Sequence, residues 1–203
     1  VLGAERVNEG DVVLALASSG PHSNGYSLIR HIVSGNGITY GADAADFGRT
    51  WGEELLEPTR LYTRPLLRLL SQVPDAVHAL SHVTGGGIAA NLARVLPQGT
   101  WVDLDRSTWS PPPVFRVLAG IGSLQLEQTE GTWNLGIGFL AVVSAAQADA
   151  AASALTAEGI ATWQVGVVHT GTLPVDAHGH YEQGAKGVDG GAVRLVGSYA
   201  AGN

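Results

Sequence analysis

The hydrophobic and polar positions of this chain change pattern several times, and each change predicts a boundary between elements. Val12–Ala17 is continuously apolar, which predicts a buried strand of the type found in parallel sheets. Further strands are predicted over Ala76–Val83, Thr100–Leu104, Gly138–Val143, Ala161–Val168 and Ala192–Val196. Helical spacing predicts helices over Tyr26–Val33, Pro65–Val73, Ile88–Leu96, Val114–Ala119, Leu124–Glu130 and Ala145–Glu158. Strands that alternate with helices indicate a layered α/β domain, and we expect residues 1–203 to form one domain.

Several single residues predict where these elements begin and end. Thr63 is expected to cap the helix over Pro65–Val73, and Pro113 is suited to the first position of the helix over Val114–Ala119. Ser144 and Gln147 have the spacing of a capping box, and Gly159 suits the position after a helix end. The glycine-rich segment 34–52 predicts an irregular surface excursion.

The charge content is low for a soluble domain. Charged residues make up 14% of the chain, against about 25% in a typical domain. Either a partner covers part of the surface, or the protein is simply rich in glycine, with 28 of them. The net charge of −7 disfavours binding to nucleic acid.

Two missing residue types and one missing pattern bear on location. Without cysteine the chain has no disulfide or zinc–thiolate site, which fits a reducing compartment. No apolar run reaches the roughly 20 residues that span a bilayer, so we expect a cytoplasmic protein with no membrane contact. The absence of methionine, at Val1 as elsewhere, favours a processed, excised or engineered piece of a longer chain.

A loop of small polar and flexible residues, "SSGPHSNG", follows the first predicted strand from Ser18 to Gly25. Its glycines resemble the spacing of a phosphate-binding P-loop, but Tyr26 stands where that motif requires lysine. Backbone N–H groups at the start of a helix still form an anion site, and neutral donors are available from Ser18, Ser19, Ser23 and Asn24. The loop is therefore either a site for a substrate phosphate or carboxylate, or a turn that satisfies only its own backbone.

The second predicted strand also ends in a glycine loop, Thr84-Gly85-Gly86-Gly87. Three glycines in a row lose much conformational freedom on folding, so we expect a ligand or another backbone to approach closely, or tight helix–sheet packing. Two such loops on one sheet predict a shared crevice at the carboxyl ends of the strands.

The histidines are expected to differ in role. His78 and His82 on one strand lie about 13 Å apart and cannot share an ion, so no metal site built by the protein is predicted. His82 is the candidate acid or base, while His78 is expected to be structural. His22 is a ligand contact or a turn residue, and His178 and His180 are expected to be solvated.

Two further segments contain candidate ligand contacts. Asn134 and Gly136 precede a strand and either face the crevice or form a β-bulge. Arg60, in "LLEPTR", either reaches a phosphate or forms a surface ion pair with Glu57.

The segments "GDVVLALASSGPHSNGYSLIR", "LLEPTRLYTRPLL", "HVTGGGIAANLARVLP" and "TWNLGIG" occur in this order. Together they resemble the C-terminal half of aminoimidazole ribonucleotide synthetase, the phosphoribosylformylglycinamidine cyclo-ligase of purine biosynthesis. The resemblance runs from about Gly10 to Val168 and resumes around Gly187–Gly197.

The resemblance implies a three-layer α/β/α domain with partial ferredoxin-like topology. It implies an ATP-dependent ring closure of formylglycinamidine ribonucleotide, with ATP and Mg²⁺ held mainly by an N-terminal half that this chain lacks. A homodimer is implied for the full enzyme, and the isolated chain is expected to be inactive. The alternatives are a non-catalytic binding module of the same fold, or a related ATP-dependent synthetase or kinase.

The resemblance also assigns residues to the phosphorylated ribonucleotide. It implies contacts to the ribonucleotide, above all to its phosphate, from Ser19, Gly20, Ser23, Asn24 and Gly25, with His82, Thr84, Gly85, Gly86 and Gly87 on the other side of the cleft. His82 is the candidate catalytic residue, and the residues discussed above add Ser18, His22, Arg60, Asn134 and Gly136 to the candidate substrate contacts. Glu130 and Gly131 depart from the family's aromatic–arginine pair. This change is expected to remove a cation and to add an anion near the phosphate site.

Overall fold

The structure is a computed structural model that describes residues 1–175, 179, 181–184 and 190–200. The strands of these residues are β1 Val12–Ala17, β2 Asp43–Ala44, β3 Arg49–Thr50, β4 Val77–His82, β5 Thr100–Asp105, β6 Ile137–Val143, β7 Thr162–Thr170, β8 Glu182–Gln183 and β9 Ala192–Val196. The α-helices are α1 Tyr26–Gly35, α2 Trp51–Leu55, α3 Thr63–Gln72, α4 Gly87–Ala93, α5 Pro113–Ile121 and α6 Ala148–Ala157. The predicted solvation of His178 and His180 concerns residues outside this description.

Seven strands form one sheet in the order β4-β6-β1-β7-β5-β9-β8, and β2 and β3 form a separate hairpin. Within the sheet, β1, α3, β4, β6, α6 and β7 form, in chain order, a βαββαβ unit whose strands have the ferredoxin-like order. Helix α1, the β2–β3 hairpin and α2 are inserted between β1 and α3. The segment with α4, β5 and α5 is inserted between β4 and β6. The partial ferredoxin-like topology is therefore confirmed.

Helices cover both faces of the sheet. One hydrophobic core packs α1, α4 and α5 against Val13 and Ala15 of β1, and the other packs α3 and α6 against Val12, Leu14 and Leu16. This arrangement confirms the three-layer α/β/α class.

The expectation of a parallel sheet is wrong. Strand β1 runs antiparallel to both of its neighbours, β6 and β7, and within the described part of the chain only β5 and β9 pair in parallel. A continuously apolar strand needs two covered faces, and the two helix layers provide them for an antiparallel strand as well.

Of three predicted helix starts, two are wrong and one is confirmed. Thr63 is the first residue of α3, after Tyr62 at the cap position, and no side chain caps that helix. Ser144 makes no cap bond either, because its hydroxyl donates to the Gln147 side chain, and a 3₁₀ turn over Ala145–Gln147 precedes α6. Pro113 does begin its helix, as predicted.

Other boundaries shift by small amounts. The helix predicted over Leu124–Glu130 is a single 3₁₀ turn, Leu126–Thr129. Gly159 follows the end of α6 with φ 79°, in the left-handed conformation predicted for it. The excursion over 34–52 holds the β2–β3 hairpin and the start of α2.

The two glycine loops meet at one edge of the sheet. Because β1 and β4 each pair antiparallel with β6, they point in the same direction and their carboxyl ends share an edge. The side-chain amide of Asn24 donates to the carbonyl of Val83 at 3.2 Å, which joins the two loops directly. The two loops therefore meet, although through an antiparallel sheet, and a crevice lined by both of them stays a prediction. No helix of the described residues has the length and apolar character needed to cross a membrane.

Candidate anion-binding site

A buried asparagine anchors the loop that follows β1. The side-chain oxygen of Asn134 accepts from the Ser18 hydroxyl at 3.2 Å and from the Gly136 amide at 2.9 Å. Its amide group donates to the carbonyl of Gly20 at 2.9 Å. Asn134 and Ser18 are both buried, so these two predicted ligand contacts use their side chains to hold the loop in place. Direct contact between these side chains and a ligand stays a prediction.

Two more hydrogen bonds fix the loop, here called the 18–25 loop, to its surroundings. The Ser19 hydroxyl donates to the carbonyl of Pro58 at 2.6 Å, and Asn24 reaches Val83 as described. The loop is thus tied to the "LLEPTR" segment on one side and to the second glycine loop on the other. A loop held from three directions is preorganised for binding.

The backbone amides of the loop fall into two groups. The amides of Ser18, Ser19 and Asn24 donate to Gly136, His22 and Pro21, respectively. Within the described chain no partner is recorded for the amides of Gly20, His22, Ser23 and Gly25. The amides at the start of α1 also lack a side-chain cap. These groups leave a positive helix end without an internal partner.

Gly25, the N-cap residue of α1, has no room for a side chain. It has φ 70° and ψ 16°, in the left-handed region, and a Cβ here would stand 2.3 Å from Cδ1 of Trp133. The fully buried Trp133 therefore packs directly against the backbone at which the helix begins. The Tyr26 hydroxyl next to it donates to the carbonyl of Leu55, which fixes the helix start to α2.

An open cleft of about 430 Å³ lies beside the loop. It is lined by His22, Ser23 and Tyr26 from the loop and helix α1, and by residues 55–59. Ser23 is exposed, so its hydroxyl and backbone can reach a solute in this cleft.

Arg60 does not make the predicted ion pair with Glu57, because Arg49 binds that carboxylate at 2.7 Å. Arg60 has no carboxylate partner among the described residues; it donates to the carbonyl of Gly159 at 3.4 Å. Its charge is close enough to His22 to lower the pKa of that ring. Arg60 therefore supplies an uncompensated positive charge near the loop.

His82 lies at the exposed end of β4, between the two loops. Its ring stacks on Phe139 with centroids 5.4 Å apart, and Tyr62 lies 6.3 Å away. A stacked but exposed imidazole keeps its ring nitrogens available, which suits a proton donor or acceptor. Its catalytic role stays a prediction.

The triglycine loop is explained by a second backbone. Gly87 has φ 73°, and a Cβ on it would stand 1.6 Å from the carbonyl oxygen of Glu130. Asn91 organises the loop: its amide donates to the carbonyls of Thr84 and Gly87, at 3.1 and 2.7 Å. Gly85 and Gly86 remain exposed, and contact between this loop and a ligand stays a prediction.

Glu130 is not the free anion expected from the sequence. Arg106 binds it through two hydrogen bonds, at 2.6 and 2.9 Å, and the Tyr199 hydroxyl donates to it at 2.6 Å. Burial, followed by the negative charge of Glu130, raises the pKa of Tyr199. Arg106 thus neutralises the carboxylate, and the expectation of an added free anion near the two loops is wrong.

His78 is structural, as expected: its Nδ1 is 2.6 Å from the buried Asp11 carboxylate. No three His, Asp or Glu side chains of the described residues are grouped so that they could hold a metal ion. That the protein builds no metal site of its own stays a prediction from the sequence.

Sequence reasoning missed three residues that shape the site. Asn91 and Tyr62 were not singled out, although the hydroxyl of Tyr62 donates to the carbonyl of Ala17 at 2.7 Å. Gly138 was assigned only to a strand, yet a Cβ on it would stand 2.0 Å from the Tyr62 hydroxyl oxygen. Gly138, at the start of the predicted strand, was the one usable signal, since glycine in a strand can indicate close approach of another group.

Solved structures with the same fold define the class of domain. The thiamine-monophosphate kinase of Stenotrophomonas maltophilia matches with a TM-score of 0.59 and 18% identity, over 98% of this chain and 54% of that one. A hydrogenase maturation protein HypE, solved in complex with ATP, matches with a TM-score of 0.52 and 19% identity, over 83% of this chain and 45% of its own. At these identities the likeness shows a shared fold.

Sequence relatives are more specific. A Streptomyces fradiae protein with the provisional name phosphoribosylformylglycinamidine cyclo-ligase is 44% identical over 96% of this chain and all of its own length. The phosphoribosylformylglycinamidine cyclo-ligase of Xanthomonas campestris pv. campestris strain B100 is 45% identical over 84% of this chain, but the match covers only 50% of its length. The chain thus spans about half the length of that longer relative.

The chain belongs to the family described as AIR synthase related protein, C-terminal domain, whose model matches residues 8–175. The family suggested by the four ordered segments is therefore confirmed.

Proposed function

We propose that this chain is the ribonucleotide-binding half of a phosphoribosylformylglycinamidine cyclo-ligase, the ATP-dependent enzyme that closes the imidazole ring in purine biosynthesis. The observation that carries the proposal is a set of amides in the 18–25 loop that have no partner within the described residues. They lie at the start of α1, which no side chain caps, and near Arg60, which has no carboxylate partner in the same part of the chain. Backbone N–H groups at a helix start bind phosphate oxygens, and a nearby guanidinium adds charge. The names of the relatives supply the substrate class.

The substrate phosphate binds the amides of Gly20, Ser23 and Gly25, with the exposed Ser23 hydroxyl as a further donor. The base-forming end of the substrate then extends along the shared edge toward His82 and the exposed glycines 85 and 86. We assign proton transfer during ring closure to His82; its exposure and its location between the two loops support this assignment.

ATP and Mg²⁺ are assigned to a second half of the enzyme. Half of the Xanthomonas relative lies outside the match, and a protein of the same fold has been solved with ATP. We include in the proposal a homodimer for the whole enzyme and a cytoplasmic location, with neither nucleic acid nor membrane as a partner.

The test is amide NMR of the chain during titration with sulfate and with ribose 5-phosphate. We expect shifts at Gly20, Ser23 and Gly25, and none at the solvent-facing Gly99, which serves as an internal control. Arg60→Gln should weaken binding of both ligands. A titration that leaves the 18–25 loop unshifted would contradict the proposal.

Turnover provides a second test. The chain alone should convert no formylglycinamidine ribonucleotide, and the addition of the unmatched half of the Xanthomonas relative should restore activity. Turnover by the chain alone would contradict the assignment of ATP to the second half.

A further inference from the structure

His22 lies inside the 18–25 loop and joins two segments that are far apart in sequence. Its Nε2 accepts from the Ser19 amide at 3.1 Å and from the Arg60 amide at 3.4 Å, the longer of the two bonds. The side chain is buried, with 5% of the residue's surface exposed. One ring nitrogen thus connects the loop with the segment that carries the Arg60 guanidinium.

This bonding decides where the ring proton resides. Both partners of Nε2 are N–H donors, so Nε2 must present a lone pair, and the proton of the neutral ring must be on Nδ1. A protonated ring would place an N–H against two amide N–H groups and lose both bonds. The His22 ring can therefore hold the two segments together only when it is neutral and its proton is on Nδ1.

The groups packed around the ring favour the same state. Arg60 and His82 face it as positive or potentially positive groups, and Tyr62 lies against it edge-on with centroids 6.2 Å apart. Burial, then His82 and Arg60, lowers the pKa of His22 to about 4. No carboxylate of the described chain bonds to the ring.

The backbone conformation of His22 is also unfavourable. His22 has φ 56°, in the left-handed region that non-glycine residues rarely adopt. Its Nδ1 is buried and has no partner within the described residues. A strained backbone and an unpaired donor are expensive, which points to a specific need for the acceptor at Nε2.

We propose that His22 is a positioning residue that holds the 18–25 loop and Arg60 at a fixed separation, through an unprotonated Nε2 shared by the amides of Ser19 and Arg60. The ring does not touch the ligand itself, because Nε2 is occupied and Nδ1 is inaccessible. It acts through the loop amides and through Arg60. The inference rests on the proposed anion site and adds the residue that sets its geometry.

The first experiment reads the ring directly and needs no ligand. Nitrogen-15 NMR of the histidine rings at neutral pH should show an unprotonated Nε2 and a protonated Nδ1 for His22. A proton on Nε2 would overturn the proposal. This measurement remains decisive even if every variant at position 22 fails to fold.

The second experiment separates the acceptor from the backbone. His22→Gln places a carbonyl oxygen near the position of Nε2, whereas His22→Asn suits the left-handed backbone but ends too close to the main chain to reach both amides. We expect sulfate affinity near that of the wild type for His22→Gln, and an affinity about tenfold weaker for His22→Asn and His22→Leu. His31→Gln, on the exposed face of α1, is the matched control and should bind like the wild type.

Sulfate is chosen because its charge is constant across the pH range in which His22 titrates. If His22→Gln binds as weakly as His22→Asn, or if His22→Asn binds like the wild type, the positioning role is wrong. If the wild type binds no sulfate, the proposed function fails instead, and the ring NMR together with hydrogen exchange of the Ser19 and Arg60 amides still decides the role of His22. Fast exchange of both amides in the wild type would contradict it.

Discussion

Gly87 and the carbonyl of Glu130 approach each other so closely that no side chain fits between them. A Cβ on Gly87 would stand 1.6 Å from that oxygen, and the residue has φ 73°. The contact joins the start of α4 to the turn before β6. It explains why a helix here begins with glycine.

Gly87→Ala is therefore expected to lower the free energy of unfolding by about 3 kcal/mol, since the left-handed backbone and the overlap each cost about 1–2 kcal/mol. Urea denaturation measures the effect. Gly85→Ala is the matched control, because a Cβ there meets nothing within 4 Å and its φ is not positive. We expect that control to lie within about 1 kcal/mol of the wild type. Equal stability of the two variants would contradict the close contact.

Asn134 provides a second test of how the site is held. Asn134→Ala removes the partners of the Ser18 hydroxyl, the Gly20 carbonyl and the Gly136 amide, so we expect a loss of about 2–4 kcal/mol of stability. Hydrogen exchange should also show faster opening in residues 18–25. Asn8, whose side chain bonds to Arg6 in an exposed position, is the control, and Asn8→Ala should stay within about 1 kcal/mol of the wild type. Unchanged exchange in the loop would show that Asn134 is not its anchor.

The stability of the protein should depend on pH through His22. Its pKa is lowered from 6.5 to about 4 by burial and then by His82 and Arg60, so the unfolded chain binds the proton more readily than the folded one. The stability due to the neutral ring is complete above about pH 6.5 and is lost as the pH falls toward 4. At about 1.4 kcal/mol per pKa unit, this loss is at most about 3.5 kcal/mol.

Urea denaturation of the wild type and of His22→Gln from pH 7 to pH 4 isolates this effect, because carboxylate titration is common to both proteins. The difference between their free energies of unfolding should change across this range, with the wild type losing more stability toward acid. A difference that does not vary with pH would contradict the buried, neutral state of His22.

The sequence predicts the strand ends and the two loops well, but it does not predict the direction in which neighbouring strands run. A sequence pattern can predict strands β1, β6 and β9 and the glycines after β1 and β4, because each depends only on residues close to one another in the chain. Strand direction is not local: a run buried on both faces reads the same in a parallel sheet and in an antiparallel sheet covered by helices.

The hydrogen bonds that shape the site are also beyond a sequence pattern. Ser18 and Asn134 are 116 residues apart, and Ser19 and Pro58 are 39 apart, so nothing near either residue marks its partner. The residues were assigned to the site as candidate ligand contacts because small polar side chains suit that role. The same side chains also suit buried loop anchors, and only the fold distinguishes the two.

The ion pair of Glu130 with Arg106 gives the last prediction. Both side chains are largely buried, at 17% and 13% exposure, so removal of the carboxylate leaves a desolvated guanidinium without its counterion. Glu130→Ala should cost about 3 kcal/mol of stability. The exposed Glu127 lines a separate cavity together with Arg106 and Glu130 and makes no side-chain hydrogen bond within the described residues, so it is the control. Glu127→Ala should change stability by no more than about 0.5 kcal/mol. The double variant Arg106→Met, Glu130→Leu should recover much of the loss, since neither charge is then left alone. If Glu130→Ala proves as harmless as Glu127→Ala in urea denaturation, the carboxylate is not a structural counterion, and its charge must again be counted as free near the proposed phosphate site.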